Sequence, residues 1–112
     1  MQFRKAQTMY AHKYKVNVDS AANDRMFAHI RFLAKVSIPA AERLYGALEK
    51  SIDDLKAHPE SCPVYRPKTL ECAELRYSLC FKRYRIVFEI IGNLVCVYDI
   101  QDCRQNTDKN LV

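Results

Sequence analysis

With 112 residues, 49% of them hydrophobic, and a net charge of +5, the chain is long enough to form one small domain around a core. This apolar content excludes a disordered chain, and no apolar run approaches the roughly 20 residues that a membrane helix requires. The opening MQFRKAQTMY lacks the apolar stretch of a secretion signal, so we expect a cytoplasmic protein without membrane contacts. Basic residues are concentrated toward both ends around an acidic middle, which suits nucleic acid or an acidic protein as a partner.

The five cysteines and three histidines predict neither a disulfide framework nor a metal site. The cysteine count is odd, no pair has C-x2-C spacing, and no histidine lies near a pair of thiols. We therefore expect small buried thiols, with a reactive Cys103 as the alternative, and no metal or cofactor. Two glycines cannot build a glycine-rich phosphate loop, and no spacing supports a Ser/His/Asp or Cys/His triad.

The first half of the chain predicts one strand and two helices. Residues 13–19 alternate in the manner of a strand, and Asp19 and Ser20 supply N-cap chemistry for a helix over about 21–35. The apolar stripe of this helix consists of Met26, Phe27, Ile30, Leu33 and Ala34. Ser37 caps a second helix, which ends at His58-Pro59 and whose stripe consists of Ala41, Leu44, Leu48, Ile52 and Leu55. The short connection indicates an antiparallel helical hairpin.

The second half predicts a proline-rich connection followed by three strands. Residues 59–70 contain three of the four prolines, so we expect no regular structure there. ELRYSLCF (74–81), RYRIVFEII (83–91) and LVCVYDI (94–100) alternate as strands, and Gly92-Asn93 is a hairpin turn between the last two. The predicted fold class is α+β: an N-terminal strand, the helical hairpin, and a three-stranded antiparallel meander in a mostly antiparallel sheet with both helices on one face.

Two arginines lie inside the strand alternation, where a sheet must turn one face to the core. If the helices cover the face that carries Tyr77, Ile86 and Phe88, then Arg76 and Arg85 emerge side by side on the bare face. Two adjacent guanidiniums favour an anion between them, such as a phosphate or a carboxylate. Glu89 lies on the same face as Arg85, and either pairs with it or serves as a catalytic base.

Several motifs in order along the chain resemble the RelE/ParE superfamily, the toxins of bacterial type II toxin–antitoxin modules. The motifs are Tyr14-Lys15-Val16, His58-Pro59-Glu60, Leu75-Arg76, the run from Tyr84 to Glu89, and Asp102-Cys103-Arg104-Gln105. The resemblance covers about residues 13–106. It implies an N-terminal extension over 1–12, with Met9 rather than Met1 as a possible start, and a C-terminal tail over 107–112.

The resemblance implies a growth inhibitor of a plasmid stabilisation system, neutralised by a cognate antitoxin in a hetero-oligomer. The RelE-like branch cuts messenger RNA on the ribosome as an endoribonuclease and inhibits translation. The ParE-like branch inhibits DNA gyrase without enzymatic activity, for which we expect contacts through the helical hairpin and the C-terminal strand. An inactive homologue that only binds its antitoxin is a third alternative.

Residues for the ribonuclease alternative are carried over by matching strand positions. Stabilisation of the negative charge on the phosphorane is assigned to Arg76, Arg85 and Arg104. The role of general base is assigned to Glu89. Nucleic-acid contacts are assigned to Lys82, Arg83, Gln105 and Tyr65. Ser78 and Gln105 stand where ribonucleases of the family often carry basic residues, and no tyrosine follows Asn106, which speaks against RNA cleavage.

Overall fold

The computed structural model describes residues 13–66 and 74–104. Its elements, in chain order, are β1 (Lys15–Val18), α1 (Ser20–Ala34), α2 (Ile38–Asp54), a 3-10 turn (Pro59–Ser61), β2 (Val64–Tyr65), β3 (Leu75–Cys80), β4 (Tyr84–Ile91) and β5 (Leu94–Asp102). This order confirms the predicted α+β class with a helical hairpin between the first strand and the meander. Within the described ranges, no helix is both long and apolar enough to cross a membrane.

The five strands form one sheet in the order β1-β5-β4-β3-β2. β1 runs parallel to β5, and every other neighbouring pair is antiparallel. A bulge between Val87 and Phe88 shifts the register of β4 against β5. The last strand that the structure describes, β5, therefore lies inside the sheet, between β1 and β4.

The helices are capped and packed largely as their sequence predicts. The Ser37 side chain accepts a hydrogen bond from the Ala40 amide at 3.2 Å, which caps α2. Asp19 occupies the N-cap position of α1 but makes no side-chain cap bond. The helices pack on one sheet face through an apolar cluster that includes Met26, Leu44, Leu48, Ile86, Phe88, Val97 and Ile100. α2 ends at Asp54, a turn earlier than His58-Pro59.

The prediction that residues 59–70 hold no regular structure is wrong for the described part. Pro59–Ser61 form a 3-10 turn, and Val64 and Tyr65 pair with Arg76 and Leu75 as strand β2. A two-residue edge strand needs few ladder bonds, so the prolines beside it are tolerated. The Pro63 carbonyl even takes part, because it accepts a hydrogen bond from the Tyr77 amide at 3.0 Å.

The predicted faces of β3 are also wrong. Arg76 lies opposite Phe88 and Leu79 lies opposite Arg85, whereas the prediction set the apolar face of β3 beside Phe88. Residues directly opposite in an antiparallel pair share a face, so a register offset of one residue reverses every side chain of the strand. Arg76 therefore lies on the helix-covered face with Phe88, and Arg85 lies on the other face.

The cause of this register is the β3–β4 turn, residues 81–83, between the paired Cys80 and Tyr84. Phe81 and Lys82 both have φ of 57°, and the Arg83 amide donates to the Cys80 carbonyl at 3.1 Å. Two successive positive φ values are the pattern of a type I′ turn, which normally uses Asn and Gly. Because neither residue occurs here, the sequence does not reveal where the strand reverses.

The cysteines of the described residues are free thiols. Cys80 is buried, and Cys62 and Cys96 are half-buried, but Cys103 is exposed, so the expectation of buried thiols does not hold for it. Burial raises the pKa of the Cys62 and Cys80 thiols, which disfavours the reactive thiolate.

Candidate functional site

Arg76 and Arg85 do not form a shared anion site. They lie on opposite faces of the sheet, because Arg76 pairs with Phe88 and Arg85 with Leu79. Each guanidinium is instead bonded to the protein, through contacts with different elements. The geometric prediction from the sequence is therefore wrong, and the two arginines are described separately.

Arg76 holds the connection between α2 and β2. Its Nη1 donates to the backbone carbonyls of Cys62 at 2.7 Å and Glu60 at 3.3 Å, and its Nη2 donates to Glu74 Oε1 at 3.1 Å. Backbone carbonyls are the acceptors that an irregular segment leaves unsatisfied. Arg76 thus anchors the 3-10 turn to the sheet from the helix side.

Arg85 is stacked between two tyrosines on the opposite face. Its guanidinium carbon lies 4.9 Å from the ring centroid of Tyr65 and 5.6 Å from that of Tyr77. Its Nη1 donates to Gln101 Oε1 at 2.8 Å, and its Nε is buried without a hydrogen-bond partner in the ranges 13–66 and 74–104. Tyr65, to which a nucleic-acid contact was assigned, is half-buried and stacks on Arg85.

A buried polar chain continues from Arg85 through β5 to helix α1. Gln101 Nε2 donates to Asp99 Oδ2 at 3.2 Å, and Asp99 Oδ1 lies 3.5 Å from Arg25 Nε. Asp99 and Gln101 are fully buried. Buried charges are retained where they are paired and hydrogen-bonded. Asp99 has the Arg25 guanidinium on one side and is linked to Arg85 through Gln101 on the other. The chain links β4, β5 and α1 and has the character of a structural network.

Asp99, Gln101 and Arg25 were not among the site residues predicted from the sequence. A signal for two of them was present, because Asp99 and Gln101 alternate with apolar residues in Tyr98-Asp99-Ile100-Gln101. Polar side chains on one face of an interior strand need hydrogen-bond partners, which neighbouring strands supply. His29 was also missed: it is buried in α1, and its Nε2 donates to the Ile100 carbonyl at 2.6 Å.

Glu89 is not the ion-pair partner of Arg85. It accepts a hydrogen bond from the Tyr98 hydroxyl at 2.7 Å. This bond raises the pKa of Tyr98 to about 12, because the neighbouring carboxylate disfavours a phenolate. The expected Arg85–Glu89 pair is therefore wrong, and a role of Glu89 as base stays a prediction.

The remaining predicted cations gather where β4 begins and β5 ends. Arg83 contacts both carboxylate oxygens of Asp102, at 2.9 and 3.3 Å from Nη2 and Nε, and Arg104 donates to the same carboxylate through its amide at 3.0 Å. Burial tends to raise the pKa of Asp102, but these hydrogen bonds outweigh it and leave the pKa lowered. We call Arg83, Asp102 and Arg104 the Asp102 cluster. Lys82 is exposed beside it, and Gln105 lies outside the described residues.

The arrangement offers little for RNA cleavage. Arg76 and Arg85 are engaged on opposite faces, while Arg104 lies at the end of β5 in contact with a carboxylate. A phosphorane requires donors that converge on one point. In the part of the chain that the structure describes, no group of three His, Cys, Asp or Glu residues is arranged to hold a metal ion.

An α+β sheet that carries a helical hairpin, with basic residues at one end, matches the class of small bacterial toxins that the motifs resemble. The family model of the ParE toxin of type II toxin–antitoxin system, parDE, matches residues 16–107, and the chain belongs to this family. It is therefore the toxin component of a type II toxin–antitoxin system, and the family implies a cognate antitoxin as its partner. A search of curated proteins gave no match.

Proposed function

We propose that this toxin arrests growth by binding DNA gyrase, as the resemblance to the ParE branch implies, and that it does not cut RNA. The observation that carries the proposal is the position of Arg76 and Arg85 on opposite faces of the sheet. The two residues on which the ribonuclease alternative depends most cannot act on one phosphate without a change of strand register.

The contacts of each arginine support the same conclusion. For Arg76 to reach a phosphate, it would have to release the carbonyl of Glu60 and the part-buried carbonyl of Cys62. For Arg85, the cost would include its bond to Gln101 and its stacking between two tyrosine rings. Both guanidiniums already make their hydrogen bonds within the fold. They therefore stabilise the fold and are poorly placed to stabilise the negative charge of a transition state.

Inhibition by protein contact requires an accessible surface rather than a reacting centre. The tip of the helical hairpin exposes Phe32 near the end of α1, Val36 in the turn and Ile38 at the start of α2, in agreement with the contact that we predict through the helical hairpin. Exposed apolar groups of this kind are typical of protein-binding surfaces. The assignment of this turn to gyrase stays a prediction.

The test is a pair of assays on the same purified toxin. We expect inhibition of gyrase supercoiling at about micromolar toxin, with relief by the cognate antitoxin, and no cleavage of messenger RNA in a translating ribosome extract. Cleavage of messenger RNA with unaffected supercoiling would contradict the proposal. The absence of both gyrase inhibition and messenger RNA cleavage would favour the inactive antitoxin-binding homologue.

Glu89→Gln is the discriminating variant, because the amide oxygen still accepts the hydrogen bond of Tyr98 but cannot act as a base. We expect the variant to inhibit gyrase as strongly as the parent. A variant that loses toxicity while it remains folded would instead support the ribonuclease alternative.

A further inference from the structure

We infer that the β3–β4 turn is a docking tip that inserts Phe81 into an apolar pocket bordered by carboxylates on the protein target. The docking tip consists of Leu79, Phe81 and Lys82, and the Asp102 cluster lies directly beside it. The inference rests on the proposed function, since the target protein there is the topoisomerase. Three independent observations support it.

The first observation is the exposure of apolar side chains at the docking tip. Phe81 is 61% exposed and Leu79 is 48% exposed. An aromatic ring left in water contributes little to folding, but it is the kind of side chain that anchors protein interfaces. The ring lies in the short turn between β3 and β4, at one end of the sheet, and its exposure leaves it accessible to a partner.

The second observation is backbone strain in the same residues. Phe81 and Lys82 both have φ of 57°, and within the described ranges they are the only residues other than glycine with positive φ. Phe and Lys disfavour this region, whereas Asn and Gly adopt it readily. Phe81 is therefore a poor choice both for this turn and for solvent exposure, and Lys82 is a poor choice for the turn, which is expected where side chains are retained for binding.

The third observation is the charge around the ring. Arg83 and Arg104 contact one carboxylate, Asp102, and the exposed Lys82 precedes Arg83 in the chain, so three cations stand against one anion and the local charge is positive. Bonds from the Arg83 amide to the Cys80 carbonyl and from the Cys103 amide to the Arg83 carbonyl, at 3.1 and 2.8 Å, hold the turn in place. A rigid apolar projection with a cationic border complements an apolar pocket with an acidic border.

A protein fits the docking tip better than a nucleic acid does. Arg83 has both Nε and Nη2 bonded to Asp102, so a phosphate would have to displace a carboxylate that already binds it at two points. Leu79 adds an aliphatic surface, which suits an apolar pocket but offers no platform for a base.

The experiment uses the double variant Phe81→Asn/Lys82→Gly in the full chain. This pair is the favoured sequence for a type I′ turn, so we expect the thermal midpoint to equal or exceed that of the parent. Inhibition of supercoiling by purified gyrase should need at least about tenfold more of the variant, as expected for loss of an interface anchor. Ile91→Thr is the matched control, because it removes another exposed apolar side chain at the opposite end of β4, and should change inhibition by less than about twofold.

Each outcome has a distinct meaning. A parent that inhibits gyrase together with a double variant that inhibits it equally overturns the docking tip and leaves the proposed function standing. A parent that does not inhibit gyrase refutes the proposed function, and the docking inference falls with it. If the double variant no longer binds the purified antitoxin but still inhibits gyrase as the parent does, the docking tip contacts the antitoxin, and the inference is overturned.

Two further arms complete the test. If the double variant is less stable than the parent, the single variant Phe81→Asn, which keeps Lys82, replaces it with the same expected loss of inhibition. A labelled single-stranded RNA of about 20 nucleotides serves as the nucleic-acid probe. Binding of this RNA by the parent and not by the variant would overturn the choice of a protein partner.

Discussion

Arg85 is predicted to stabilise the fold, and its replacement by alanine measures how much. The substitution removes a charged hydrogen bond to Gln101, worth about 1.5–3 kcal/mol, and the stacking on Tyr65 and Tyr77, worth about 1–2 kcal/mol at a partly desolvated position. It also leaves Gln101 Oε1 buried without this donor. Because Arg85 is only half-buried, we expect Arg85→Ala to lower the free energy of unfolding by about 3 kcal/mol.

Arg85→Met is the matched variant, since its unbranched side chain keeps contact with both rings but carries no donor. It also removes the buried, unpaired Nε. We expect a smaller loss, about 1–2 kcal/mol, so the two variants should rank in the order parent, methionine, alanine. Equilibrium unfolding in urea, followed by circular dichroism, resolves these differences in a domain of this size.

The result that would refute this reasoning is an alanine variant within about 0.5 kcal/mol of the parent. The guanidinium would then contribute nothing to the fold and would be available for another role. A double-mutant cycle with Tyr65→Leu tests the stacking alone, with an expected coupling of about 1 kcal/mol. A coupling near zero would show that the ring and the guanidinium are neighbours without mutual stabilisation.

Three further predictions follow from the contacts of single residues. Arg76→Ala should speed amide hydrogen exchange in the 59–65 segment about tenfold, because that segment loses its side-chain donors to the backbone. Burial lowers the pKa of His29 below its ordinary 6.5, so the unfolded chain takes up a proton at a higher pH than the folded protein does. The free energy of unfolding should therefore fall as the pH drops below about 6.5, and His29→Gln should flatten this pH profile. Tyr98→Phe should cost about 1 kcal/mol in urea unfolding, because Glu89 loses its donor.

Contrary results would be informative in each case. Unchanged exchange in the 59–65 segment would mean that strand pairing alone holds it. Stability of the parent that does not vary between pH 5 and 7.5 would contradict a neutral buried His29. A Tyr98→Phe variant as stable as the parent would show that the hydrogen bond between Tyr98 and Glu89 contributes nothing measurable to stability.

The helical half of the fold was predictable because its signals are local. Ser37 caps α2 as predicted, and Leu44 and Leu48 are buried at the expected spacing. The faces of β3 were not predictable, because its register depends on a turn whose two central residues, Phe81 and Lys82, carry no turn signature. When both faces of a strand hold some apolar residues, alternation alone does not decide which one meets the helices.

The geometry of the candidate site could not be predicted from the sequence for a related reason. The arginines were identified correctly as unusual strand residues, but their partners are distant in the chain: Arg76 bonds to Cys62, and Arg85 bonds to Gln101. Glu89 seemed the natural partner of Arg85 because it is near in sequence, yet its donor is Tyr98, across the next hairpin. Pairing between strands, rather than spacing within one, determines which charges meet.

The position of β5 inside the sheet affects when the toxin can become active during its synthesis. Among the described strands β1 pairs only with β5, and the two are separated by nearly the whole domain. A nascent chain that has not yet released residues 94–97 from the ribosome leaves β1 unpaired and the apolar side of α1 without its closing strand. The sheet can therefore close only after β5 has been translated, and an antitoxin already present in the cell has that time to meet the chain before the toxin is folded.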